Sequence, residues 1–237
     1  MSLPYLAYVT ALIVLLGASC GGGSKQEARD FSPGDLVQRT LAEGSARIAW
    51  SEPAGPPRFT ASGLADFRGQ RGQVSVYVDV TGGSPALVAE LVLSDSILYL
   101  RQVSSTNGTL QPSEKEVGGA SDFLGTKGVP PGSSSRVLDS TSPGQTYEAA
   151  LVDLIGDADR FEYKGQRDVL GARTDFFAAA PSKDKTVTLA TGLYVDSSGR
   201  IVRLEFPEFT VEGTPAGAIS ITLDLSDFGT PAKITAP

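Results

Sequence analysis

The sequence predicts an α+β fold in which a curved antiparallel sheet of about ten strands packs on two or more helices. Three observations predict it. From residue 45 onward apolar residues recur with a period of two, in short runs separated by Gly, Pro, Asp and Ser turns. Two other stretches, beginning at Ser32-Pro33 and Ser142-Pro143, carry apolar residues at helical spacing behind a capping residue and a proline. Each helix covers a band only about 10 Å wide, so two of them cannot lie flat over so many strands and the sheet has to curl around them.

Taken in order, the chain opens with MSLPYLAYVTALIVLLGASCGGGS at residues 1–24. Residues 5–16 are apolar except for Thr10. The run falls short of the roughly 20 residues that cross a bilayer, and it matches the apolar core of an export leader. The small residues Gly17, Ala18 and Ser19 follow, and then Cys20, the one cysteine of the chain. A small-small-Cys ending looks like a bacterial lipobox, in which the thiol takes a diacylglyceryl group and the cysteine becomes the new N-terminus. The expected organisation is a signal peptide over 1–19, a flexible tether with lipidated Cys20 over 20–31, and a single domain over 32–237. An ordinary secretion signal with an incidental cysteine, or an uncleaved anchor, would share this architecture.

The first helix is expected from Ser32, with Leu36, Val37, Thr40 and Leu41 on one face and Gly44 as its stop. Strands follow at 45–50, 58–67, 73–80, 86–93 and 96–103, the first of them carrying Ile48 and Trp50. Residues 104–140 are rich in Ser, Gly, Thr and Pro and read as a long loop that covers something or moves. A second helix is expected from Ser142 to Gly156, with Tyr147, Leu151, Leu154 and Ile155 as its stripe. Strands at 160–169, 172–180, 186–195, 200–206 and 218–225 complete the domain.

Composition excludes several functions. The net charge is −7, which argues against nucleic acid and against peripheral binding to anionic lipid. With no histidine, the commonest acid-base group and the commonest zinc ligand are missing. No Gly-x-Ser-x-Gly elbow occurs in residues 32–237, and the one thiol is assigned to lipid, so no enzyme activity, cofactor or metal is expected. Asp153, Asp157 and Asp159 lack calcium-loop spacing and read as a solvated face. Asp227-Phe228-Gly229 and Asn107-Gly108-Thr109 are chance matches to a kinase triplet and a glycosylation sequon.

The space between a curled sheet and few helices is either a filled core or an apolar cavity. The candidate lining is the set of aliphatic rows Val74, Val76 and Val78; Leu87, Ala89 and Leu91; Leu98 and Leu100; Val187 and Leu189; and Ile219, Ile221 and Leu223. Such rows suit acyl chains, which require contact area and no directional chemistry.

Five segments carry a family resemblance: GLADFRGQRG at 63–72, SILYLRQ at 96–102, YKGQRDVLGARTDFF at 163–177, GLYVDSSGRIVRL at 192–204 and LDLSDFGTPAKITAP at 223–237. With them the chain resembles the LppX/LprAFG lipoproteins of actinobacteria, relatives of the LolA/LolB lipoprotein carriers. The resemblance implies a half-barrel sheet wrapped on helices, with a hollow that binds the acyl chains of lipids or acylated glycans. The function expected is a lipoprotein on the outer face of the cytoplasmic membrane that binds or transports lipid or lipoconjugate. A tethered interaction or sensor module without lipid cargo is the alternative.

Overall fold

The computed structural model describes residues 32–51, 58–79, 86–95, 97–103, 114–117, 120–124, 146–179, 189–209 and 219–234. The elements are α1 (Pro33–Ala42), β1 (Ser45–Ser51), β2 (Arg58–Asp66), β3 (Arg71–Asp79), β4 (Ala86–Ser94), β5 (Ile97–Gln102) and β6 (Glu114–Val117). There follow α2 (Ala120–Leu124), α3 (Tyr147–Ile155), a short 3-10 turn (Ala158–Arg160), β7 (Phe161–Val169), β8 (Ala172–Ala179), β9 (Gly192–Val195), β10 (Ile201–Phe209) and β11 (Ile219–Ser226).

All eleven strands form one antiparallel sheet in the order β6-β5-β4-β3-β2-β1-β11-β10-β9-β8-β7. Two meanders, β1–β6 and β7–β11, therefore meet at a central seam where β1 pairs with β11. In that seam Ile48 lies opposite Leu225 and Trp50 opposite Leu223. The predicted fold class is the observed one. Its details differ in three places. The stretch read as a loop contains β6 and α2; the second helix begins at Tyr147, capped by Thr146, whose hydroxyl accepts from the Ala149 N–H; and β9 is four residues long.

The sheet bends where its register breaks. Shifts occur between Val76 and Tyr77, Tyr163 and Gln166, Ile201 and Arg203, and Phe206 and Phe209. Bulges of this kind increase local twist and curl a strand. Gly63 adds to the bend: a Cβ there would collide with the Gln73 backbone carbonyl, so only glycine lets β2 approach β3 this closely.

The helices lie on one face, with α3 between α1 and α2; α1 contacts β10 and α2 contacts β4. Thr40 fixes α1. Its buried hydroxyl donates to the Leu36 carbonyl at 2.8 Å and accepts from the Ile201 N–H at 2.9 Å. Tyr147 fixes α3, donating from its hydroxyl to the Arg71 carbonyl at 2.8 Å while Gln70 Oε1 accepts from its backbone N–H. Phe67 and Phe123 meet the Tyr147 ring edge-on, and a Cβ on Gly72 would collide with Phe123. These contacts close the core at one end of the sheet.

Candidate functional site

The two ends of the sheet differ. At one end lie the tight turns: Gly44 before β1, 67–70, Asp95, Leu170-Gly171, 196–200 and Asp227 after β11. The Gly229 N–H donates to the Ser45 carbonyl, which ties the exit of β11 to the entry of β1 there. At the other end, the loop end, β1, β3, β5, β8 and β10 finish and β2, β4, β9 and β11 begin; residues 52–57, 80–85, 180–188 and 210–218 between them fall outside the described residues. The docked parts of α1, α2 and α3 named above all sit toward the turn end.

The candidate lining divides into closed and half-buried members. Val74, Val76, Ala89, Leu91, Leu98, Ile221 and Leu223 are each at most 3% exposed and belong to one continuous core with the helices. Val78, Leu87, Leu100 and Leu189 are half-buried. Val78 lies nearer the loop end of β3, Leu100 lies opposite Leu91 on the strand next to the sheet edge, and Leu189 precedes β9. The structure moves Leu87 out of its row. The register shift pairs Leu87 with Tyr77, opposite in pleat to Val76 and Val78, and Val88 packs against the inner cluster. Ile219 is placed by its backbone, opposite Phe209. Val187 and Cys20 lie outside the described residues, as do the leader, the tether and the Asn107 tripeptide.

Trp50 is the residue that sequence reasoning passed over. It stands near the loop end of β1, flanked across the sheet by Ala61 on β2 and Leu223 on β11. The indole is buried in the inner cluster, 5.5 Å from the ring of Phe206. Its Nε1 is buried and has no hydrogen-bond partner, the one such side-chain atom found among the described residues. An unsatisfied buried donor costs about 1–3 kcal/mol, which makes it an exception that needs a reason. The signal was present in the sequence: the one tryptophan of the chain occupies an inward position just before a Pro-rich break.

The outer face carries a small apolar cluster of Val169, Phe176 and Tyr194 with paired polar groups around it. Arg203 clamps Asp224 with Nε to Oδ1 at 2.5 Å and Nη2 to Oδ2 at 2.8 Å. Tyr194 donates to Glu205 Oε1 at 2.6 Å and meets Arg167 Nη1 at 3.4 Å, while the Arg167 guanidinium stacks 3.7 Å from the Phe176 ring centre. Burial foremost, then the hydrogen bond to Glu205 and its charge, push the Tyr194 hydroxyl up to about 12 against the pull of Arg167. A Cβ on Gly192 would lie 2.6 Å from Glu205 Oε2, so glycine gives that carboxylate its room. This arrangement braces β8, β9 and β10; it offers no unengaged nucleophile or base. Among the described residues no three Cys, Asp or Glu side chains come together as metal ligands, and no helix is long and apolar enough to cross a membrane.

No protein-family model matches the chain, and no curated protein matches it. Among solved structures it is similar to a domain from Vibrio parahaemolyticus described as that of an outer membrane lipoprotein-sorting protein. The identity is 10%, the likeness covers 84% of this chain and 93% of that one, and the TM-score is 0.32. Neither the identity nor the score is of a size that passes a function from one chain to the other. The actinobacterial resemblance rests on the five sequence segments alone.

Proposed function

We propose that the chain is an extracytoplasmic lipoprotein, anchored through Cys20 to the outer face of the cytoplasmic membrane, that holds the acyl part of a lipid or acylated glycan. The observation that carries this reading is the gradient along the inner sheet face. The closed aliphatic core of the central strands gives way to half-buried Val78 and Val88 toward the loop end of β3 and β4, and to half-buried Leu100 on β5 near the sheet edge. Burying a methylene there gains about 0.8 kcal/mol, so an acyl chain of ordinary length supplies its own affinity. The ligand space belongs to the loop end of β3 and β4 and the neighbouring edge strand β5, since the inner face of the central strands is filled by side chains of the protein itself.

Organic extraction of the purified protein followed by mass spectrometry tests this. An acyl lipid recovered in near-stoichiometric amount, or taken up from added vesicles, supports it. An empty extract together with no uptake favours the tethered interaction module, for which the closed packing of Val74, Val76, Ala89, Leu91 and Leu98 already speaks.

A further inference from the structure

We infer that the tip of the β7–β8 hairpin, led by Leu170, enters the headgroup–acyl boundary of an anionic bilayer and orients the anchored domain on it. The inference rests on the membrane anchorage proposed above. Leu170 is 56% exposed, the one large apolar side chain so placed among the described residues. It also has left-handed backbone: the two central residues of the turn, Leu170 and Gly171, have φ of 52° and 79°. Such a turn favours Asn-Gly, Asp-Gly or Gly-Gly, because a bulky apolar residue is strained there. Leu170 therefore lowers stability twice, by backbone strain and by exposure to water. Three other non-glycine residues of positive φ are each tied down by a bond. Gln70 accepts from the Tyr147 N–H, Asp95 from the Ser94 hydroxyl and Asp227 from the Arg47 guanidinium. Leu170 belongs to neither apolar cluster, so nothing inside the fold explains it.

The charge around the tip selects the partner. The chain carries −7 overall, yet residues 163–173 hold Lys164, Arg167 and Arg173 against Asp168 alone. All three cations are exposed, and Arg173 has no ion-pair partner among the described residues. An exposed leucine flanked by basic side chains fits a lipid surface, where the leucine meets acyl carbon and the cations meet phosphate. An apolar pocket on another protein would take the leucine and ask nothing of the cations. The negative charge of the remaining chain opposes adsorption of the whole protein. The tip therefore engages only once the tether has brought it within a Debye length of the surface. Because the tip closes β8 at the turn end, this contact directs the loop end of that strand, about 25 Å away, out of the bilayer.

To test this, the full lipidated chain is reconstituted on vesicles of phosphatidylglycerol and phosphatidylcholine with brominated acyl chains. Trp50 is the one native tryptophan and is buried, so it supplies a constant background. Leu170→Trp is expected to add a blue-shifted emission that bromine quenches. Thr60→Trp, exposed at the loop end of β2, is expected to escape quenching. Leu170→Asn places a residue that suits the left-handed turn and removes the apolar side chain. It is expected to melt no lower than the wild type, yet to pass to acceptor vesicles about threefold to tenfold faster. Quenching of Leu170→Trp no greater than that of Thr60→Trp overturns the tip contact and leaves the anchor intact. So does transfer of Leu170→Asn at the wild-type rate. A wild-type chain that does not float with the vesicles overturns both.

Discussion

Single residues on the two faces of this sheet answer to different physics. On the outer face, Tyr194 has an acidity lowered by burial and by Glu205, so the folded state holds its proton more tightly than the unfolded chain does. The linked stabilisation is complete below the ordinary tyrosine value of 10 and is lost as pH rises through about 12. Tyr194→Phe is expected to delete the part of the phenolate titration near pH 12 and to flatten the fall in stability over that window; an unchanged titration would contradict the assignment. Tyr147 is pushed upward in the same sense by burial and by Asp66. At the leader, Cys20→Ala is expected to abolish fatty-acid labelling and release the protein from membranes. Labelling that survives the change would remove the anchor from the proposed function.

At the scale of elements, alternation and capping made most of the fold legible, because period-two rows such as Val74, Val76 and Val78 leave only one way to face a core. What they could not convey was local. β6 (Glu114–Val117) is polar and lies at an edge, so it lacks the apolar alternation that marks a half-buried strand. The departure of Leu87 from its row comes from a one-residue bulge, which periodicity assumes away. The docking of α1 is likewise invisible in a pattern of apolar residues, since it depends on one hydroxyl reaching β10. Thr40→Val keeps the shape and strands the Ile201 N–H, at an expected cost of about 1–3 kcal/mol in chemical unfolding, while Thr40→Ser keeps both bonds and most of the stability. A second pair of substitutions probes the gradient along the inner face. Ala89→Trp is expected to overpack the closed rows and destabilise by about 1–3 kcal/mol, whereas Val78→Trp is expected to cost little and to block lipid uptake. Equal effects of the two on stability would argue for a uniformly filled interior.

For the whole molecule, the strand order accounts for the long stretch between β5 and α3 that composition alone could only call a loop. β6 and β7 occupy opposite edges of the sheet, so the chain between them has to cross ten strand spacings, an arc of about 48 Å. Among the described residues of that stretch, α2 and α3 lie side by side along the way, α2 against β4 and α3 between α2 and α1. Because the seam joins both halves, thermal unfolding is expected to show one transition that EDTA does not shift; two separated transitions would mean that the meanders are independent.

The seam also sets the order in which the protein can be made. Arg47 lies opposite Ser226, so the middle of the sheet is closed by residues far apart in the chain. During synthesis or translocation from the N-terminus, one edge of β1 stands bare until β11, the last of the described strands, has emerged. A lost C-terminal strand would therefore remove the centre of the sheet, leaving two aliphatic half-sheets whose open edges invite pairing with other chains.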